Sequence, residues 1–370
     1  MAEFTFGSGG FFADPQACCQ YLEGIVIAEN YTFTQVGHST MPVYVFAEFE
    51  PNGYTIKFTN NDYHYGELSR GNKIYMGNQR GILIRLKNTG RIIVEKLNME
   101  KTEWDTGGGK SMLNILNGGF AVDTAGTNIL VEKCIGRGAQ GLPGGGNGAP
   151  IITTGEWYYN SIIIFRTCKA WNANGTYGCF NMSSSFGGLA LIENCTAYFD
   201  PGGPFSAGYY GFQIYAKDGS KGYFRNCVGH GANVQGAFYG DFSNNDWRDP
   251  TNDVVAINCA DGDGTLAAIG GSRNISNITP ADEFQSLDDS TPYFLKLKNG
   301  ALVAGASALP VKGRAPLKVQ FTNSSDYVFQ SRNLGDGGTV PLYTTEDIGL
   351  NPIPTDEQFY SIGCHQVEVI

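Results

Sequence analysis

The sequence predicts an all-β fold built of stacked coils, because one short phrase recurs through the middle of the chain. The phrase is an apolar run, then a charged or polar residue, often Asn, and then Cys. It ends at Cys134, Cys168, Cys195, Cys227 and Cys259, which are 34, 27, 32 and 32 residues apart. Such a period is typical of structural units that stack on one another instead of enclosing a single central core.

Composition supports the same fold class. The chain has 370 residues, with 51 Gly, 20 Tyr and 23 Phe, and only 16% of its residues are charged. This mixture favours short strands and many tight turns over long helices. A related phrase without Cys ends at Leu97, 37 residues before Cys134, so the repeat extends toward the N-terminus.

Strand alternation predicts which side chains point inward. The third residue before each Cys is apolar and the second is mostly charged, so the two sets are expected on opposite faces. Strict alternation would also turn Cys outward, which is unfavourable for a residue type so often buried. A bend immediately before Cys removes the conflict, and Asn194, Asn226 and Asn258 suit it because Asn tolerates the left-handed conformation. Each coil is therefore predicted as a strand, a bend and a second strand that starts with an inward Cys.

The Asn-Cys bends and the apolar rows resemble right-handed single-stranded parallel β-helices of the pectate-lyase-like superfamily, which includes phage tailspikes and other virion proteins. The resemblance covers roughly residues 10–310. It implies a solenoid with a short N-terminal capping helix and a loop-rich C-terminal tail. The superfamily contains lyases, hydrolases and non-enzymatic virion parts, so the fold does not select among these functions.

Three segments are expected along the chain: an N-terminal arm and cap helix at 1–24, the parallel β-helix at 25–310, and a C-terminal capping or assembly segment at 311–370. A helix is predicted over 13–23, with Asp14 as N-cap, Pro15 in the first turn and Gly24 as the stop. We expect irregular early coils, a lateral loop at 60–80, the regular repeat from Arg91, and a final coil at 294–303 with 306–310. The tail is expected to cover the last coil or to pack on a neighbouring subunit.

A second apolar segment follows each phrase, and it is predicted to form another strand of the same coil. These segments are 112–116, 151–152, 177–182, 211–216, 237–242 and 266–269. The connections between strands vary in length far more than the strands do. Solenoids carry such insertions on one side, where their binding surfaces are found. The loops concerned are 102–110, 140–149, 199–207 and 244–252.

Charge and cysteine content exclude several classes of function. The net charge of −10, without a cluster of Lys and Arg, disfavours a nucleic-acid partner. No apolar run is long enough for membrane insertion, and the first residues do not resemble a secretion signal. The nine cysteines lack metal-ligand spacing, so we expect reduced, buried thiols, no metal, no cofactor, and synthesis in the cytoplasm.

The densest group of chemically useful side chains lies at 241–253. It contains Asp241, Asp246, Asp249 and Asp253 beside Trp247 and Arg248. Paired carboxylates near an aromatic ring are typical of a glycosidase or of a glycan-binding groove, whereas an Asp- and Asn-rich loop also forms Asx turns. A second group, Trp157, Tyr158 and Tyr159, fits either a carbohydrate groove or a subunit interface, and we favour the interface.

Two further charged patterns have structural interpretations. Asp261 and Asp263 suggest calcium, but the third acid and closing Glu of such a loop are missing, so a turn is expected. The alternating charges at the second position before Cys predict a cross-strand ladder on a solvated face. Its members are Glu132, Arg166, Glu193 and Arg225.

Together these observations favour a bacteriophage virion surface protein, tailspike-like or capsid-decorating, that binds a glycan or takes part in particle assembly. We expect a homotrimer assembled in the host cytoplasm and displayed on the virion, with other virion proteins and a host surface polysaccharide as partners. The alternative is a polysaccharide-degrading enzyme that uses the carboxylates at 241–253. A glycoside hydrolase is favoured over a lyase, because the local motif of the calcium-dependent lyases has no match here.

Overall fold

A computed structural model provides the structure of the protein. It describes residues 1–41, 46–77, 81–88, 90–101, 112–117, 128–138, 152–154, 162–171, 179–184, 189–198, 211–216, 221–230, 238–241, 254–257, 259–272, 274–298, 347–350 and 363–364. These residues form mostly short strands with few helices, so the all-β prediction is confirmed.

The strands are two to six residues long. In chain order they are β1 (Ala2–Phe6), β2 (Tyr31–Gln35), β3 (Ser39–Thr40), β4 (Ala47–Phe49), β5 (Thr55–Asn60), β6 (Lys73–Tyr75), β7 (Ile82–Leu86), β8 (Arg91–Glu95), β9 (Asn98–Glu100), β10 (Leu113–Asn117), β11 (Asn128–Glu132), β12 (Ile135–Arg137), β13 (Ile152–Thr154), β14 (Ile162–Arg166), β15 (Lys169–Trp171), β16 (Phe180–Ser184), β17 (Leu189–Glu193), β18 (Thr196–Tyr198), β19 (Phe212–Ala216), β20 (Lys221–Arg225), β21 (Val228–His230), β22 (Phe238–Asp241), β23 (Val254–Ile257), β24 (Ala260–Asp261) and β25 (Gly270–Ser272). The helices are α1 (Pro15–Glu23) and α2 (Pro280–Glu283), with a 3-10 turn at Thr265–Ala268.

Within the described residues the strands stack into three long parallel sheets. Sheet 1 has ten strands in the order β1-β2-β5-β8-β11-β14-β17-β20-β23-β25. Sheet 2 has eight, from β3 to β24, and sheet 3 has seven, from β4 to β22. From β2 to β22 the chain visits sheets 1, 2 and 3 in turn, and we call one such passage a coil. This topology is consistent with the predicted solenoid.

The residue before Leu97 and before each of the first four repeat cysteines bends the chain as predicted. The backbone there is left-handed, with φ of 63° at Lys96, 52° at Lys133, 55° at Thr167, 50° at Asn194 and 52° at Asn226. The bend therefore does not require Asn, although Asn fits it best. Asn258 lies outside the described residues.

The bend sends each cysteine into one continuous core. All five repeat cysteines are buried there, together with the third residue before each of them, which confirms the predicted inward set: Val131, Phe165, Ile192, Phe224 and Ala256. The cysteines are free thiols, as expected.

Helix α1 forms where the sequence predicts it and joins the same core. The Asp14 side chain accepts a hydrogen bond of 2.9 Å from the Ala17 N–H, and Pro15 opens the first turn. Cys18, Cys19 and Leu22 are buried in the main core.

The side-chain amide of Gln16, in α1, hydrogen-bonds to the backbone of β7 next to the point where β4 begins to pair with it. Strand β4 pairs with β7 only from Ile84 onward. The Leu83 N–H donates to Gln16 Oε1 at 3.0 Å, and Gln16 Nε2 donates to the Leu83 carbonyl at 3.4 Å. Gln16 thus satisfies backbone groups at the end of sheet 3 that would otherwise be buried without partners.

The ends of the stack differ from the sequence expectations. Regular strand pairing begins before Arg91. Strand β1 is the first strand of sheet 1, and β2 and β5 continue the sheet in register with β8. The segment 266–269 is mostly a 3-10 turn, and the last strand of sheet 1 is β25. Residues 294–298 do not form a final coil but lie across the outside of sheet 2, as described below. The rest of that predicted coil, at 299–303 and 306–310, lies outside the described residues.

No helix in the described part of the chain is long and apolar enough to cross a membrane.

We predict that Thr167→Gly stabilises the protein. Thr167 is β-branched, holds a left-handed backbone, and buries a hydroxyl that has no hydrogen-bond partner in the described structure. Relief of these two costs outweighs the flexibility of Gly, so urea denaturation should show a gain of about 1 kcal/mol in the free energy of unfolding.

The matched control is Thr196→Gly. Thr196 is equally buried, but it lies in strand β18 and its Oγ1 accepts a hydrogen bond of 3.1 Å from the Cys364 N–H. This variant should lose stability. A loss in Thr167→Gly as well would show that the bend at Thr167 is not strained.

Candidate functional site

Most side chains singled out from the sequence lie in the long connections. Asp246, Trp247, Arg248, Asp249 and Asp253 lie outside the described residues. So do the three aromatic residues Trp157, Tyr158 and Tyr159. The structure describes the backbone of Asp241. It is the last residue of β22, which is the end strand of sheet 3, and it pairs with Tyr215 of β19.

The outer face of sheet 3 carries a row of amide side chains that leads to this strand. Phe180, Met182, Phe212 and Ile214 point into the core, so the residues between them lie on the outer face. There Asn181 Nδ2 donates to Gln213 Oε1 one coil further on, although the two side chains are only 3% and 1% exposed.

The amide row holds a tyrosine in place. Gln213 Nε2 donates to the Tyr215 hydroxyl oxygen at 2.6 Å, between residues on the same face of β19. Tyr215 is half-buried, and its backbone partner Asp241 begins the aspartate-rich stretch. The structure therefore brings one predicted residue, Asp241, beside a set of polar side chains that the sequence analysis missed.

The chemistry of this face suits a hydroxyl-rich ligand. Amides both donate and accept hydrogen bonds, and a tyrosine adds an aromatic surface with a polar edge. At the same row position as Asn181, two coils earlier, Asn114 has a buried Oδ1 without a hydrogen-bond partner in the described structure. Strand alternation applied to segments 177–182 and 211–216 could have revealed the row.

Sheet 1 carries the predicted charge ladder, but the predicted solvated face is wrong. Arg166, Glu193 and Arg225 are 2%, 0% and 3% exposed. An Arg166 guanidinium nitrogen lies 3.4 Å from a Glu132 carboxylate oxygen, another lies 3.8 Å from Glu193, and Arg225 pairs with Glu193. Beside the ladder is an aliphatic row, also buried, that comprises Ile93, Leu130, Ile164 and Leu191.

The outer face of sheet 2 is covered by other parts of the same chain. Residues 274–298, 347–350 and 363–364, with the loop at 61–72, form what we call the outer layer. A second apolar cluster joins this layer to the sheet, and includes Ile135, Trp171, Tyr198 and Val228 from the sheet and Phe284, Phe294, Leu297 and Ile348 from the layer. The described tail residues thus pack on sheet 2 of their own chain, not over the last coil.

A buried lysine ties the outer layer to sheet 2. Lys169 is 1% exposed, and its Nζ donates to the Gly66 carbonyl at 2.9 Å and to the Phe294 carbonyl at 2.7 Å. Burial lowers the pKa of Lys169 to about 8. A lysine with such a pKa is a candidate base or nucleophile, but here the two hydrogen bonds hold the loop at Gly66 and the outer-layer residue Phe294 against the sheet.

Neighbouring polar groups have the same structural role. His64 Nδ1 accepts from the Gly66 N–H at 2.8 Å, so Nε2 carries the proton and donates to the Lys133 carbonyl at 2.9 Å. Burial lowers the pKa of His64 to about 3, which keeps the ring neutral. The Tyr63 hydroxyl donates to the Ile348 carbonyl at 2.6 Å, joining loop and tail.

Close packing also holds the tail residue Gly363. It has φ of 96°, and a Cβ there would lie 2.8 Å from Val228 Cγ1 and 2.9 Å from Thr196 Oγ1. Its N–H donates to the Asn226 carbonyl at 2.7 Å. Only glycine fits this approach of the tail to sheet 2.

Asp261 organises a turn, as the sequence analysis favoured. It is buried, and its carboxylate accepts hydrogen bonds from the N–H groups of Gly264, Leu266 and Asn277. Among the residues the structure describes, no group of three or more His, Cys, Asp or Glu side chains is placed to hold a metal ion.

No protein-family model, curated protein sequence or solved structure matches this chain significantly. A function must therefore be argued from its own residues.

We predict that Glu193→Gln costs about 3 kcal/mol of stability, because it leaves the buried Arg225 without its carboxylate partner. The control is Glu48→Gln, which breaks a comparable pair with the more exposed Arg85 and Lys87 and should cost less than about 1 kcal/mol. Urea denaturation measures both. Equal losses would contradict a special role for the buried ladder.

The lowered pKa of Lys169 predicts a specific pH dependence. Between pH 8 and 10.5 the unfolded chain retains a proton that folded Lys169 has lost, so stability due to this group rises with pH in that window. The free energy of unfolding of the wild type, relative to Lys169→Met, should increase by about 2 kcal/mol between pH 7.5 and 9.5. Lys298→Met, which removes an exposed lysine, is the control variant. A flat result for Lys169→Met would mean that its ammonium is not destabilised by burial.

Proposed function

We propose that the chain is a right-handed parallel β-helix of the pectate-lyase-like kind and that α1 is its N-terminal cap. The support is the stack of three parallel sheets with left-handed bends before the core cysteines. The cap is supported by Gln16, which bonds to the edge of β7 while Cys18 and Leu22 enter the core.

On this fold we propose a virion surface protein of a bacteriophage, tailspike-like or capsid-decorating, that binds a glycan along the outer face of sheet 3. The observation that carries the proposal is the Asn181–Gln213–Tyr215 network beside the backbone of Asp241. Asn181 and Gln213 place amide groups on two successive coils, next to half-buried Tyr215. With a net charge of −10, a neutral glycan fits better than an anionic one.

A binding role is favoured over catalysis by the bonds of the buried titratable groups. Lys169, His64 and Asp261 each hold backbone groups of neighbouring segments. We further propose a homotrimer that is assembled in the host cytoplasm and contacts other virion proteins. The second candidate function is a glycoside hydrolase, favoured by the position of Asp241 at the start of the aspartate-rich stretch.

We predict that Tyr215→Ala weakens glycan binding at least about tenfold, equivalent to about 1.4 kcal/mol. The purified full chain is first screened against a panel of bacterial surface polysaccharides, and calorimetry then compares variants on the polysaccharide it retains. The control is Tyr293→Ala, because Tyr293 is 56% exposed but lies on the outer layer over sheet 2. Unchanged affinity in Tyr215→Ala would contradict the placement of the site on sheet 3.

The same panel separates binding from hydrolysis. Depolymerisation that disappears in the Asp246→Asn, Asp249→Asn double variant would support the hydrolase, and depolymerisation that survives would reject those two residues as its catalytic pair. Retention without cleavage supports the binding protein. Incorporation into particles without retention of any glycan would leave assembly as the function and reject the glycan site.

A further inference from the structure

Five stacked thiols run through the core along the line of the bends. Each belongs to one coil and is a free, buried cysteine, and the first four occupy the first inward position after a left-handed bend. Four of the sulfurs have the same described environment. Each lies close to a carbonyl oxygen of the preceding coil: Cys134 Sγ to Val94 O at 3.6 Å, Cys168 to Val131 at 3.7 Å, Cys195 to Phe165 at 3.7 Å and Cys227 to Ile192 at 3.4 Å.

This repeated environment sets the distance between neighbouring sulfurs. Side chains in the same conformation on adjacent parallel strands are separated by the strand spacing, about 4.8 Å. Each sulfur also reaches toward the coil before it, since the N–H groups of Cys134 and Cys168 lie 3.5 Å from the Sγ atoms of Cys168 and Cys195.

That separation suits a two-coordinate metal ion and does not suit a disulfide. A metal–sulfur bond of about 2.3 Å, as in zinc thiolates, means that two such bonds in line span about 4.6 Å. A disulfide of about 2.05 Å would require two coils to move together. A tetrahedral ion needs more ligands than a row supplies, in agreement with the lack of a three-ligand cluster among the described residues.

We propose that Cys134, Cys168, Cys195, Cys227 and Cys259 form an axial binding site for soft monovalent ions, Cu(I) or Ag(I). Thiolate sulfur is the ligand that such ions prefer. Each ion enters between two neighbouring sulfurs and releases one proton to solvent, so four ions on five thiols release four protons and leave three bridging thiolates, one terminal thiolate and one terminal thiol. No oxidation or reduction takes place.

This stoichiometry keeps the core electrically neutral. One positive charge enters for each proton that leaves, so the row avoids the large cost of an isolated buried charge. Because each ion displaces a proton, binding becomes tighter as pH rises.

The number of ions bound by cysteine variants tests the proposal. Silver nitrate is added to the full chain in chloride-free buffer, and native mass spectrometry counts the ions retained. Five sulfurs in a row have four gaps, so the row accounts for four ions. Cys195→Ala, an interior variant, should lose two ions because it removes two gaps, whereas Cys134→Ala, at the end of the row, should lose one.

Independent thiols would give a different pattern. If each cysteine bound its own ion, both variants would lose one, and this result overturns the proposal, as does the loss of none. Cys364→Ala changes a buried thiol outside the row and should leave the contribution of the row intact. Circular dichroism verifies folding, and Cys227→Ala is a second interior variant if Cys195→Ala does not fold.

X-ray absorption of the Cu(I)-loaded wild type should show two sulfur ligands for each ion, and three or more would also overturn the proposal.

Discussion

The left-handed bend before Cys134, Cys168, Cys195 and Cys227 is the constraint on which the rest of the structure depends. It reverses the strand alternation at one residue, so that the cysteine turns inward after an outward charge. It also joins coils, because the bend N–H donates to a carbonyl of the next coil: Thr167 to Glu193 at 3.0 Å and Asn194 to Arg225 at 2.9 Å. A slip of one residue would turn every side chain of the strand to the wrong face.

Every coil turns apolar residues inward, so the chemical differences between coils lie mainly on the outside. The outer face of sheet 2 binds the outer layer through Lys169 and the apolar cluster around Trp171. Sheet 1 uses its outer face for buried ion pairs. The amides of sheet 3 are buried and are joined to one another and to half-buried Tyr215, where this face can meet an external ligand.

The sequence predicts the repeated features of each coil, but it does not predict contacts between segments that are distant in the chain. The inward residues, the bends, α1 and the strand segments follow from local alternation and spacing. Nothing local marks Phe294 as a neighbour of Trp171, because the two are brought together only when residues 274–298 fold back over the stack. The burial of Arg166 and Glu193 is equally non-local. Of the candidate site, the sequence indicates only Asp241, because the pattern of the strand that contains Gln213 and Tyr215 is set by its apolar residues.

The alternating ladder addresses a weakness common to repetitive chains. Coils built from the same phrase can stack in the wrong order at little cost, for example with one coil looped out. In this chain such an error would place Arg166 against Arg225, or Glu132 against Glu193. Like charges held together away from water are strongly unfavourable, so wrong stacking of the coils from β11 to β20 is penalised even where the correct pairs contribute little net stability. The alternation ends at β11, because Glu132 is the register partner of Glu95. From β11 to β20 the ladder thus favours the correct order of the coils, which gives the buried charges of sheet 1 a structural role.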